Sequence, residues 1–284
     1  MRILVTGHKG MLGSELLEYL SESHDVSGID IEQADLRDLD QALRVIQAAE
    51  PDVVVHTAAF TDVDACESQV DTAYQVNAVA TRNVAMACQD TAATMVYIST
   101  DYVFNGRKKD PYIEYDATDP LSVYGKSKLA GERYVEGLLT SWVIIRTSWL
   151  CGKNGKNFVE TMLRLAGTKR QIAVVNDQAG SPTFVPDLVR EMKRVIETGA
   201  YGTYHISSQG ACSWFDYACK LFELANLDVE VLPTTTQAFG RPAPRPAYSV
   251  LRNYVLELTI GDRMPHWEEG LKKYLAARPG SQSL

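Results

Sequence analysis

Tyr124 and Lys128 stand one helical turn apart in Tyr124-Gly125-Lys126-Ser127-Lys128, and the i, i+4 spacing puts both side chains on one helix face. An ammonium beside a phenol favours the phenolate, which would lower the tyrosine pKa from its ordinary value of about 10. A tyrosine tuned in that way is a general acid–base. Upstream, Gly7, Gly10 and Gly13 punctuate Gly7-His8-Lys9-Gly10-Met11-Leu12-Gly13, directly after an apolar run and before an amphipathic stretch. Where such a turn joins a strand to a helix, backbone N–H groups and the helix N-terminus receive a pyrophosphate. Thr100, in Ser99-Thr100-Asp101, stands at the end of another apolar run, where its hydroxyl could hydrogen-bond a reacting oxygen beside Tyr124. A phosphate-binding turn ahead of an acid–base pair suggests redox chemistry with a nicotinamide cofactor.

These residues meet only if a sheet brings them to one edge. The first ~150 residues alternate short Val- and Ile-rich runs, at 2–6, 26–30, 52–56, 94–99 and 142–146, with helix-like stretches at 11–22, 39–49, 70–88 and 123–138. That alternation predicts βαβ units, and so an α/β chain with a Rossmann-like, doubly wound parallel sheet. Residues 1–150 would form an NAD(P)-binding domain carrying Thr100, Tyr124 and Lys128. After Trp149 the pattern loosens. Residues 151–284 would form a smaller α/β substrate lobe, some segments of which could return to the first domain. Helical patterns are expected there at 157–166, 186–197, 214–225 and 267–277, a strand at 172–175, and a frayed tail at 278–284.

The chain has 36 acidic and 28 basic residues, a formal charge of -8, which opposes general association with nucleic acid or anionic membrane. It starts directly with a strand-like run and has no apolar stretch of membrane-spanning length, so a cytoplasmic protein is expected. Five dispersed cysteines show no Cys-x-x-Cys pair and are expected to be free, mostly buried thiols. No metal-ligand spacing is present, and His56 reads as a hydrogen-bonded core or loop residue.

Asp30, at the end of the second run, stands where a ribose-binding carboxylate is expected. Asp35-Leu36 would lie near adenine, and Ala58-Ala59-Phe60-Thr61 near the nicotinamide ribose. Asp30 and Glu32 would repel a ribose 2′-phosphate and favour NADH, whereas Lys9 could neutralise one of them and admit NADPH. The choice stays open. On an acidic chain any anionic ligand must be held by local cationic donors, for which Arg241, Arg245, Lys153 and Lys156 are available; Arg245 is the favoured one.

The glycine turn, Asp30, Thr100 and the Tyr124/Lys128 pair, in that order, resemble the extended short-chain dehydrogenase/reductase family over nearly the whole chain. Ser99-Thr100-Asp101-Tyr102-Val103-Phe104, Arg146-Thr147-Ser148-Trp149, Asn157-Phe158-Val159 and Asp177-Gln178-Ala179-Gly180-Ser181-Pro182-Thr183 narrow the resemblance to the dTDP-4-dehydrorhamnose reductase family. The resemblance implies reduction of a dTDP-linked 4-ketosugar. It implies that Gly10, Met11 and Leu12 touch the pyrophosphate, and that Asp30 meets the ribose. Asp35 and Leu36 would lie near adenine, with Ala59, Phe60 and Thr61 on the nicotinamide side. Thr100, Asp101 and Tyr102 would lie at the sugar, Tyr124 would donate the proton, Lys128 would bind the ribose, and Trp149 would pack against the hexose. Phe60 departs from the polar His or Tyr expected of the family there. Some relatives form metal-bridged dimers, which makes Glu15 a candidate for a Mg2+-bridged homodimer. Rival readings are a nucleotide-sugar dehydratase or epimerase, against which Tyr102 stands in place of a glutamate base, a reductase of another ketosugar, and a non-catalytic NAD(P)-binding regulatory subunit.

Overall fold

The apolar runs become strands because both of their faces are covered. The computed structural model describes residues 1–278; of the tail expected at 278–284, Arg278 is instead held by Glu160 at 2.8 Å, and 279–284 lie outside the described residues. The first half of the chain runs β1 (Arg2–Thr6), α1 (Met11–Leu20), β2 (Asp25–Ile29), α2 (Leu39–Ala49), β3 (Val53–His56), α3 (Val63–Ser68), α4 (Val70–Tyr74), α5 (Ala80–Thr91), β4 (Thr94–Thr100), α6 (Val123–Leu138) and β5 (Trp142–Thr147). The second half runs β6 (Leu150–Cys151), α7 (Phe158–Ala166), β7 (Gln171–Val175), β8 (Ala179–Gly180), β9 (Thr183–Phe184), α8 (Val185–Thr198), β10 (Gly202–His205), β11 (Cys212–Ser213), α9 (Trp214–Leu224), β12 (Glu230–Thr234), α10 (Thr236–Phe239), α11 (Tyr254–Thr259) and α12 (Trp267–Ala277).

Six strands form the central sheet in the order β10-β5-β4-β3-β1-β2, and every neighbouring pair in it is parallel. Side chains alternate between the two faces. Ile3, Val5, Val53 and Val55 join Leu16 of α1 and Leu188 of α8 in one apolar cluster. Leu4 and Val54 point the other way, into a cluster with Ile46 of α2 and Val84 of α5. The chain direction across the sheet reverses between β1 and β3, and a crevice at the strands' carboxyl ends follows from that reversal.

Beyond residue 150, α7, α9 and α12 pack with the parallel pair β7–β12 around Val159, Ile172, Leu221 and Trp267. Helix α8 and strand β10 leave this lobe, and β10 pairs with β5 at the edge of the central sheet. Gly202–His205 has no Val or Ile and so was not read as a strand from the sequence, unlike β3, which is just as short.

The stretch 70–88, expected to be one helix, is interrupted. Between α4 and α5 the segment Gln75–Val79 takes a wider π-helical turn. A hydrophobic period of 3.6 cannot resolve one extra residue in a turn. Among the described residues no helix is long and apolar enough to cross a membrane.

Candidate active site

Gly7 leaves β1 with φ +70°, and a Cβ there would lie 2.8 Å from the Ala58 backbone. Only glycine fits that close approach. A Cβ on Gly13 would run into the Gly7 carbonyl oxygen, so α1 starts directly against the turn. Gly10 is the N-cap of α1 and supplies no side-chain cap; the N–H groups of Met11, Leu12 and Gly13 are therefore free for an anion.

This turn lines one end of a cavity of about 940 Å³. Asp30, Asp35, Leu36, Ala58, Ala59, Phe60 and Thr61 line it at the cofactor end, and Thr100, Asp101, Tyr102, Tyr124, Lys128 and Trp149 at the other. The Asp30 carboxylate accepts the Lys9 and Ile31 backbone N–H groups, at 3.1 and 2.8 Å. Lys9 Nζ lies 2.9 Å from Glu32, so the cation that could meet a 2′-phosphate is paired with an acid. Asp35 pairs with Arg37 at 2.7 Å, and that guanidinium holds its carboxyl below the usual range.

Arg245, among the residues expected at the site, does not line the cavity. Its Nη1 lies 2.9 Å from Asp64, whose other oxygen takes Arg241 at 3.1 Å. The charge of Asp64 at the start of α3 draws both arginines, and Arg245 braces Tyr102 from behind. Lys153 is spent on Glu15 and Glu18, at 3.3 and 2.8 Å. Glu15 thus faces a lysine, which gives no support to a Mg2+ bridge. Lys156 does reach the cavity wall. Among the described residues no three His, Cys, Asp or Glu side chains come together as a metal site.

Helix α6 is capped by Ser122, whose hydroxyl accepts the Gly125 N–H at 3.1 Å, and Glu67 of α3 accepts the Val123 N–H at 2.8 Å. These caps fix Tyr124 in the first turn, with the Thr100 side chain beside it. Lys128 follows one turn later, its ammonium 4.1 Å above the Tyr97 ring. The expected lowering of the Tyr124 pKa is overturned: burial drives it up, because the phenolate loses more solvation than its neighbours return. Burial also brings Lys128 down to about 7. Tyr124 is therefore a protonated donor at neutral pH.

Asp101, expected to touch the sugar, is 2 % exposed and turns its carboxylate inward, to Thr100 at 3.0 Å and Ser249 at 2.5 Å. Burial raises its pKa to about 7. Trp149 stacks on Trp214 with ring centroids 3.5 Å apart and planes 9° from parallel. His56 is a neutral core residue between the Thr6 and Thr81 hydroxyls, burial having lowered its pKa to about 3.

Asn77, in the π turn, was not singled out from the sequence. Its side chain holds both the N–H and the C=O of Phe60, at 2.8 and 3.1 Å, and donates to Ser127 at 3.0 Å. It ties the loop of Phe60 to the helix that carries Tyr124 and Lys128. A polar residue among buried alanines was the available signal. Trp214, on the cavity wall, gave no signal beyond its size.

The cradle fits a dinucleotide: an uncapped helix N-terminus, glycines where a Cβ would strike backbone, and an acid at the end of β2. Residues 1–278 match the family model described as the RmlD substrate binding domain. The chain is 41 % identical to the spore coat polysaccharide biosynthesis protein SpsK of Bacillus subtilis, over 98 % of both chains. It is 38 % identical to a dTDP-4-dehydrorhamnose reductase of Mycobacterium tuberculosis, over 100 % of this chain and 95 % of that one. Among solved structures, dTDP-4-dehydrorhamnose reductase from Bacillus anthracis in complex with NADP superposes with a TM-score of 0.96 at 45 % identity, covering 98 % of this chain and 99 % of that one. Sequence match and shared fold agree, and the chain belongs to the dTDP-4-dehydrorhamnose reductase family of extended short-chain dehydrogenases/reductases.

Proposed function

We propose that this chain reduces the 4-keto group of dTDP-4-dehydro-L-rhamnose to dTDP-L-rhamnose, using NADPH or NADH, as a step in nucleotide-sugar biosynthesis. The observation that carries the reading is one cavity lined at one end by the glycine turn and at the other by Thr100, Tyr124 and Lys128. The curated and solved relatives named as dTDP-4-dehydrorhamnose reductases support the substrate.

When bound, the reduced nicotinamide supplies a hydride. Every other contribution comes from the chain. Met11, Leu12 and Gly13 hold the pyrophosphate at the N-terminus of α1. Tyr124, which burial keeps protonated, gives its proton to the oxygen that gains charge as the ketone carbon is reduced. Lys128 orients the ribose beside it. Lys9 and Arg37, each paired with an acid at the ribose end of the cavity, would have to give up those partners to bind a 2′-phosphate, so NADH should be accepted alongside NADPH.

The test follows the absorbance of the reduced cofactor when purified protein meets enzymatically prepared dTDP-4-dehydro-L-rhamnose. Oxidation of either cofactor with formation of dTDP-L-rhamnose is the expected result. Cofactor binding without oxidation would transfer the reading to another ketosugar or to a non-catalytic role.

A further inference from the structure

Beyond Lys128, the helix face that carries Tyr124 and Lys128 presents one more residue, Glu132, at the same four-residue spacing. Glu132 is 1 % exposed, and burying a carboxylate so deeply is unfavourable unless it is paired and hydrogen-bonded. It has both. Arg146 of β5 forms a two-pronged contact with it, Nε to Oε1 at 2.9 Å and Nη2 to Oε2 at 2.7 Å. The Ser99 hydroxyl of β4 donates to Oε1 as well.

Each partner of Glu132 adjoins a wall of the active site. Ser99 precedes Thr100, and Arg146 precedes Thr147, Ser148 and Trp149. The groups facing Lys128 are His56 from β3, Tyr97 from β4, and Tyr124 and Glu132 from its own helix. His56 is neutral, since burial lowers it to about 3, and Tyr97 is an uncharged phenol raised by burial. Glu132 is the carboxylate that acts on the Lys128 ammonium.

We propose that Glu132 is a positioning residue for the reduction: its buried carboxylate, fixed by Ser99 and Arg146, keeps Lys128 charged and in register with Tyr124. The inference rests on the reductase reading for its catalytic consequence, but the charge on Lys128 is a property of the protein alone. Burial already brings Lys128 down to about 7, with Glu132 opposing that fall. Removal of the opposing charge must therefore release the proton at lower pH.

The experiment pairs two readouts. The first is the titration of the Lys128 side chain in Glu132→Gln, followed by NMR with labelled lysine and assigned by comparison with Lys128→Met. The second is turnover of the ketosugar between about pH 5.5 and 9. Both titration and the alkaline limb of kcat are expected to move down by about one pH unit, a roughly tenfold loss of activity on the alkaline side. Glu132→Asp, which keeps the charge, should hold the limb near its wild-type position. If Glu132→Gln leaves Arg146 unpaired and fails to fold, Glu132→Gln with Arg146→Met removes both charges, and the Lys128 titration should then move down by less, because loss of the guanidinium opposes the shift. An unmoved Lys128 titration, or a loss of kcat that is uniform with pH, overturns the proposal. Absence of ketosugar turnover in the unmodified protein would instead count against the reductase reading, and leaves the NMR titration to decide the role of Glu132.

Discussion

The Thr100 hydroxyl donates a hydrogen bond to Asp101: Oγ1 lies 3.0 Å from Oδ1, and Thr100 Oγ1 itself accepts the Tyr102 N–H at 3.1 Å. A hydroxyl has a single hydrogen. While Asp101 accepts it, Thr100 can receive the proton of Tyr124 but cannot donate to a reacting oxygen. The role expected of Thr100, stabilising that oxygen, requires Asp101 to release the hydroxyl, and a carboxyl with a pKa near 7 changes its accepting power within the neutral range.

Asp101 also makes the fold sensitive to pH. Burial raises its pKa from 3.8 to about 7, with Ser249 and Thr100 acting in the opposite direction. Because the folded-state value lies above the unfolded one, the contribution is full below about pH 4 and is lost as pH rises through 7. Asp101→Asn keeps an oxygen that can accept from Thr100 and removes the ionisation. Denaturant unfolding at about pH 5 and pH 8 should show the variant gaining on the original protein over that interval, by on the order of a few kcal/mol. Parallel pH dependences in the two proteins would contradict the buried, raised carboxyl.

Tyr124→Phe removes the proton donor and leaves the ring packed edge-on against Tyr102, centroids 6.0 Å apart. Turnover should fall by ~10²-fold or more, the size of a lost acid–base group. Cofactor affinity should hold, since the glycine turn and Lys128 are untouched. Steady-state kinetics beside a fluorescence titration of NADPH separates the two. A variant with near-normal turnover would remove Tyr124 from the chemistry.

The Tyr124/Lys128 pair and the glycine turn were legible in the sequence because each is local: one helical turn in the first case, one strand-to-helix junction in the second. What decides the behaviour of the pair is not local. The spacing reveals that an ammonium follows a phenol, but not that both are sealed from water, and burial reversed the expected shift of Tyr124. Ser249 reaches Asp101 across 148 residues of chain, and Asn77 reaches Ser127 across 50. Neither contact has a period to betray it. Arg245 misled for a related reason: an arginine in a Pro-rich loop looks available for a phosphate until the fold brings Asp64 to it.

Trp149 was expected to pack against the hexose, and one of its faces is already covered. Trp214 stacks on it at 3.5 Å. A Cβ at Gly180 would come within 2.5 Å of the same indole. The backbone of Trp149, with φ 46°, holds the ring in this slot against the usual preference of non-glycine residues. Gly180→Ala tests the arrangement without touching a residue of the proton path. Its methyl group cannot share the slot with the ring, so the indole must shift, and a displacement of that size at a positioning contact is worth about tenfold or more. The KM for the ketosugar should rise while the affinity for NADPH, bound at the far end of the cavity, stays the same. Equal losses in both would show that the substitution disturbs the whole fold, and an unchanged KM would show that the sugar does not depend on where this indole lies.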